Sequence, residues 1–274
     1  MKGGLKWTRE AEALLSSVPF FVRQKVRGRV EDDVRQEGGS EVTDADVHRS
    51  RERFLRRMSA QVRGYQLDNC FGTDGCPNRA VPADGLRRKL DQVLRQADLL
   101  AFLKSQVGDE LKLHHEFRVS LAECPNACSQ PQIKDIGIIG AVRPQVTDVP
   151  CTRCAACVYA CPDRAVFLAE DKDRPDIDAG LCQSCGLCVS ACPSAAMADL
   201  CRGFRVLVGG QLGRHPRLAR ELPGILTEDG VVAVVQETLR IYKQTSRNGR
   251  RFAHILTDAH YRRLADVAAD NSRR

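Results

Sequence analysis

The sequence predicts an α+β protein in four segments. A small helical domain covers 1–63, and a cysteine-bearing half-domain of strands and helices covers 64–146 and resumes over 200–274. A compact cysteine-rich module is inserted at 147–199. Three observations predict this. Eight of the thirteen cysteines form one pattern written twice between Cys151 and Cys192. Strand-like runs flank that stretch, Ile136-Gly-Ile-Ile-Gly before it and Phe204-Arg-Val-Leu-Val-Gly-Gly after it, so one fold is interrupted and resumed. The first sixty residues carry apolar side chains at helical spacing and no cysteine.

Each element follows from local signals. Thr8 caps a first helix, Pro19 interrupts it, and Phe20, Phe21, Val22, Val26 and Val30 continue on one face. Gly38-Gly39-Ser40 breaks the pattern, and Thr43 caps a further helix running towards Met58. Arg23 and Arg27, four residues apart, would share a helix face suited to an anionic edge. Gly64 to Arg79 reads as irregular and glycine-rich around Cys70 and Cys76. Leu86 to Lys104 reads as one amphipathic helix. Phe117-Arg-Val-Ser-Leu-Ala alternates as a strand and runs into Cys124; Val231–Lys243 and Arg251–Val267 read as helices.

At 274 residues the chain can bury a real core. A net charge of +7 describes a solvated, arginine-rich surface, and no aromatic residues interleave the basic stretches, so nucleic acid is not an expected partner. No apolar run approaches the ~20 residues of a membrane span. Met1 to Glu10 is polar, without the apolar core of a secretory signal. Thirteen cysteines in such a chain are expected to be thiolate ligands in a reducing cytoplasm rather than disulfides.

The repeated pattern is Cys151-x2-Cys154-x2-Cys157-x3-Cys161-Pro162 and Cys182-x2-Cys185-x2-Cys188-x3-Cys192-Pro193. Structural zinc favours two separated pairs and fits such runs poorly. The runs resemble those of bacterial two-cluster ferredoxins, in which the cysteine before proline reaches across to the other cube. The resemblance implies one [4Fe–4S] cluster on Cys151, Cys154, Cys157 and Cys192, and another on Cys182, Cys185, Cys188 and Cys161.

Four more cysteines form the pairs Cys70-x5-Cys76 and Cys124-Pro-Asn-Ala-Cys128, the latter followed by Asp135-Ile-Gly-Ile-Ile-Gly. Alone they could be zinc ligands or buried thiols. In this order, and with Phe204-Arg-Val-Leu-Val-Gly-Gly-Gln-Leu-Gly-Arg-His-Pro downstream, they resemble the sulfite and nitrite reductase haemoprotein family. That resemblance implies a third [4Fe–4S] cluster on Cys70, Cys76, Cys124 and Cys128, with Cys128 also bridging to a sirohaem. It further implies that Gly209 and Gly210 let the backbone approach a flat cofactor.

The N-terminal stretches Trp7-Thr-Arg-Glu-Ala, Val18-Pro-Phe-Phe-Val-Arg23 and Val42-Thr-Asp-Ala-Asp-Val resemble a small domain of dark-operative protochlorophyllide reductase. One departure matters: the ferredoxin-like βαβ half that precedes the cysteine half in the reductase family is missing from 1–63.

The implied function is an oxidoreductase. Electrons would pass from a donor protein through the inserted module to a coupled [4Fe–4S]–sirohaem site that reduces a small oxyanion, with the pocket completed by a second subunit or a second copy. The catalytic residues are not assignable. Two alternatives are carried: a non-catalytic electron-transfer subunit, and a reductase component acting on a tetrapyrrole-like substrate.

Overall fold

The computed structural model describes residues 4–108 and 111–273. They fall into two compact units, 1–62 with 108–114, and 63–107 with 115–274.

In the first unit, β1 (Lys6–Trp7) leads into α1 (Arg9–Ser16), α2 (Phe20–Gln36), β2 (Glu41–Val42) and α3 (Asp44–Ala60). β1 and β2 pair in parallel. The Thr8 hydroxyl accepts the Ala11 amide at the start of α1. Ala11, Val30, Val34 and Val42 form the small core. The Trp7 indole donates to Glu31 at 3.1 Å, under the Arg27 guanidinium. Arg23 donates to the carbonyls of Ser16 and Val18 at 2.7 and 2.9 Å, and Arg27 pairs with Glu12. The helix face expected to hold an anion is therefore committed to partners of its own unit.

A reciprocal box starts α3: the Thr43 hydroxyl accepts the Asp46 amide, and the Asp46 carboxylate accepts the Thr43 amide at 2.8 Å. Burial pushes the Asp46 carboxyl up, but the bonds from the Thr43 hydroxyl and amide outweigh it and hold it below the ordinary carboxylate range. Its folded pKa therefore lies below its unfolded one. The stabilisation is complete above about pH 4 and fades as pH falls through the folded value. Asp46→Ala is expected to cost about 1 kcal/mol near neutrality. The cost should shrink in acid, as read by urea unfolding of the helical signal at the two pH values.

The second unit opens with β3 (Tyr65–Asn69), a 3-10 turn over 71–74, α4 (Asp84–Gln96), α5 (Leu99–Val107), β4 (Phe117–Ala122) and β5 (Ile136–Val146). The cysteine-rich stretch holds α6 (Ala156–Tyr159), β6 (Val166–Phe167), β7 (Asp176–Ile177) and α7 (Leu187–Ala191). Then come β8 (Met197–Val208), β9 (Arg220–Glu221), β10 (Ile225–Leu226), α8 (Glu228–Thr245), α9 (Phe252–Ile255), α10 (Asp258–Asp270) and β11 (Ser272–Arg273).

The main sheet runs β11-β10-β8-β5-β4-β3, with β9 paired to β8. β3, β4 and β5 are parallel, and β8 returns antiparallel along β5. Leu86, Leu90 and Leu94 of α4 and Val231, Val234 and Val235 of α8 join Phe117, Phe204 and Phe252 in one buried core. The β5–β8 hairpin is long, pairing from Ile136↔Val208 to Val146↔Met197. It shifts register at Arg143/Pro144, where proline has no N–H for the ladder. No described helix is long and apolar enough to cross a membrane.

The structure departs from the sequence reading in three elements. Tyr65–Asn69, expected to be irregular, is a strand whose five residues are all half-buried. The helix expected over 86–104 breaks at Asp98, which adopts φ 44° and offers its carboxylate to the Ala101 amide at 3.4 Å, so one residue ends α4 and caps α5. The last helix divides at Thr257, whose hydroxyl accepts the His260 amide to start α10.

Candidate metal centres

Parallel pairing brings the first cysteine group together. β3 and β4 end side by side at Asn69↔Leu121, and Cys70 adds one more rung by donating its amide to the Leu121 carbonyl at 3.0 Å. The next residues of β4's exit are Glu123 and Cys124, and the Glu123 amide donates to the Cys70 sulfur at 3.3 Å. A turn through Ala127, at φ 52°, carries the chain to Cys128. Reciprocal bonds of the Ser120 hydroxyl to the Ser129 carbonyl (2.8 Å) and the Ser129 hydroxyl to the Leu121 carbonyl (2.9 Å) hold that loop down. Cys70, Cys76 and Cys128 lie close enough to act electrostatically on Cys124, whose thiol burial pushes up. Cys124 is buried; Cys128 is exposed.

A group that sequence reasoning missed fixes this arrangement. The Glu123 side chain is 1% exposed and forms an ion pair with Arg79 at 2.6 Å. It also accepts the Ala83 amide at 2.8 Å, while the Glu123 carbonyl accepts the amides of Ala80 and Val81 at 3.0 and 3.1 Å. One residue beside Cys124 therefore ties down the segment just after Cys76. A carboxylate next to a cysteine is visible in the sequence, but nothing local points to an arginine 44 residues away.

The two glycines of Asp135-Ile-Gly-Ile-Ile-Gly make room for these loops. A Cβ on Gly137 would lie 2.2 Å from the Pro131 carbonyl oxygen, and one on Gly140 would lie 2.5 Å from that of Glu123. Gly140→Ala is thus expected to displace Glu123 and Cys124 and to lower iron bound at the first group, with the other two groups unchanged; iron analysis of reconstituted protein checks this. Asp135 is fully buried, accepting the Arg118 amide at 2.8 Å and the Arg251 guanidinium at 2.8 Å. Burial holds its carboxyl above the usual range even beside Arg251.

The tandem runs repeat in backbone detail. Arg153 and Ser184, Ala155 and Gly186, and Arg164 and Ala195 hold equivalent positions and all have positive φ, between 53° and 76°. These left-handed residues turn amides towards sulfur: Arg153 to Cys151 (3.4 Å), Ala165 to Cys161 (3.2 Å) and Met197 to Cys192 (3.4 Å). Cys192 acts electrostatically on Cys154 and Cys157, and Cys161 on Cys185 and Cys188. The fourth cysteine of each run thus lies close to two of the first three of the other.

The donor chemistry suits iron–sulfur cubes. Burial pushes Cys188 up to about 12 and raises Cys157 and Cys185, so these thiols resist ionisation on their own. Metal coordination removes such protons, and amide donors stabilise the coordinated sulfurs. Cys192 shows the donors winning: burial raises it, but the Met197 amide and the Ser194 hydroxyl bring it below the ordinary thiol value. Among the described residues, no group of three or more His, Cys, Asp or Glu side chains is placed to hold a single metal ion.

The run nearer the sheet is the second. The Val142 amide of β5 donates to the Ser184 carbonyl at 2.7 Å, and Val142 bridges Cys185. Arg205 of β8 donates to the Gln183 carbonyl at 3.4 Å while held by Glu221 at 2.6 Å. The remaining cysteine, Cys201, is buried against Ala141 and Ile225. Gly209 and Gly210 are crowded by protein: a Cβ would lie 2.4 Å from Leu256 and 2.5 Å from the Gln132 carbonyl oxygen. Their close approaches are thus to the chain's own α9 end and β5 entry.

Residues 85–272 match the family described as the nitrite and sulphite reductase 4Fe-4S domain, more than half of the chain, and the chain belongs to that family. It is a sulfite-reductase-type iron–sulfur protein. Residues 7–51 match the family described as the proto-chlorophyllide reductase 57 kD subunit. Among individual relatives, the chain is similar to a coenzyme F420-dependent sulfite reductase of Methanocaldococcus jannaschii. The two are 31% identical over 137 residues, 50% of this chain and 22% of that one. It is also similar to one of the subunits of the anaerobic sulfite reductase of Salmonella typhimurium, 25% identical over 44% of this chain and 36% of that one. The N-terminal unit is similar to one of the subunits of the light-independent protochlorophyllide reductase of Chlorobium limicola, 50% identical over 52 residues, 19% of this chain and 10% of that one. The chain therefore spans about a fifth to a third of the two sulfite reductase relatives. The family match begins after Cys70 and Cys76.

Proposed function

We propose that the chain is the redox subunit of a cytoplasmic sulfite- or nitrite-reducing enzyme. Cys70, Cys76, Cys124 and Cys128 would hold one [4Fe–4S] cluster, and the tandem runs would hold two more as a ferredoxin-type module. The exposed Cys128 would also bind a sirohaem. The clusters supply single electrons, and the sirohaem supplies an iron at which a small oxyanion is reduced. The observation that carries this reading is the strand β5, which touches two cysteine groups. Gly140 seats Glu123, next to Cys124, and Val142, two residues on, seats Ser184 and Cys185. A rigid strand sets the separation of the inner module group and the group at Cys124.

The chain's own residues hold the thiols, aim amides at sulfur and shield the inner cysteines from water. Three cations of this unit are committed to carboxylates: Arg79 to Glu123, Lys134 to Asp68 and Arg251 to Asp135. Sirohaem carries many carboxylates, which need basic partners when buried. The missing cations would come from a partner subunit or a second copy, and the electrons from a donor protein docking on the module.

The test is anaerobic purification with any co-purifying partner, an absorption spectrum, and consumption of sulfite and nitrite under a viologen reductant. Sirohaem bands that Cys128→Ala removes, together with oxyanion consumption, support the proposal. Three clusters without sirohaem or oxyanion consumption would overturn it in favour of a non-catalytic electron-transfer subunit.

A further inference from the structure

The helical unit contains a cavity of about 560 Å³ lined by α1, α2 and α3, including Val26 and Phe54. That is large beside a core of four buried residues, and it falls within the size range of small-molecule sites. Its walls are apolar, but Lys25 and Arg29 of α2 and Arg51 of α3 also line it.

The charges are distributed unevenly in this unit. Arg27 pairs with Glu12, Arg35 with Glu31, Arg49 with Asp46 and Arg53 with Glu37. Lys25, Arg29 and Arg51 have no carboxylate partner among the described residues, and Arg29 lies over the Phe54 ring at 4.3 Å. Ser50, 3% exposed, lines the same cavity, and its hydroxyl has no side-chain hydrogen bond among the described residues. A hydroxyl on the cavity wall offers a ligand both a donor and an acceptor.

We propose that this cavity binds an apolar small molecule carrying a carboxylate or an equivalent anionic group. Its body would cover Val26 and Phe54, its anion would lie between Lys25, Arg29 and Arg51, and a polar atom would meet the Ser50 hydroxyl. A neutral apolar ligand would leave the three cations at the cavity wall without a counter-charge. A nucleic-acid backbone would leave the apolar walls bare.

The test uses the full chain under anaerobic conditions with anilinonaphthalene sulfonate, and with neutral phenylnaphthylamine as its uncharged counterpart. Trp7 is the chain's only tryptophan and lies in this unit, so emission sensitised by it reports binding here. The anionic probe is expected to bind once per chain and more tightly than the neutral one. Lys25→Gln and Arg51→Gln should each weaken it about tenfold. Val26→Phe, which fills the cavity, should abolish binding while the helical signal is kept. Equal binding of both probes, or wild-type binding in all three variants, would overturn the proposal. So would loss of probe binding as the chain self-associates, which would make a second copy the occupant.

Discussion

Anaerobically reconstituted protein is expected to hold about twelve irons as three cubes, and Cys124→Ala about eight. Cys124 is the buried member of its group and receives Coulomb contributions from the other three. The groups in the tandem runs share no cysteine with it, so their cubes should survive the substitution. Loading sirohaem adds one iron, to about thirteen. Wild-type protein holding only about eight would show the first group empty and remove the basis for a coupled site. Because ligand binding to the folded state is folding free energy, the variant should also unfold at lower denaturant.

Glu123→Ala is expected to match that loss without removing a cysteine. The carboxylate is 1% exposed, and truncating it strips Arg79 of an ion partner and the Ala83 amide of its acceptor. Breaking a buried pair from one side costs about 3–5 kcal/mol, and the exposed edge of Arg79 puts the expected value near the lower figure. The segment after Cys76 is then released from Cys124, so the first cube should assemble poorly. Glu123→Gln keeps an acceptor for Ala83 and should fall between the two. Urea unfolding and iron content, read on the same samples, check both; wild-type values in Glu123→Ala would show that the tie does not position the cysteines.

The repeat of the two cysteine runs was legible because its signal is local, three thiols within seven residues and a proline after the fourth, and the backbone repeats with it at Arg153 and Ser184 and at Ala155 and Gly186. The caps at Thr8 and Thr43 were legible for the same reason. What escaped was non-local or weakly patterned. Tyr-Gln-Leu-Asp-Asn shows little apolar alternation because β3 is half-buried along its length, and its strand character comes from pairing with β4. Asp98 looks like an ordinary polar position in a helix, and only its left-handed backbone shows the break. The Glu123–Arg79 tie needs the fold before its partners meet. Arg23 and Arg27 lie four apart on α2 as their spacing implies, but that Glu12 and the Ser16 carbonyl of the preceding segment meet them is non-local and was not legible.

The pairing of Val146 with Met197 gives the stretch between them a property that its chemistry does not reveal. Its two ends leave neighbouring strands from one rung, so a connector of almost any length can join them at little extra closure entropy. The sheet sets little limit on the length of the stretch between them, provided the ends return side by side. A stretch of another length could join these two residues without redesigning the core beneath it. The constraint that remains lies where the stretch meets the sheet, at Val142 against Ser184, Cys185 and Gly186 and at Arg205 against Gln183.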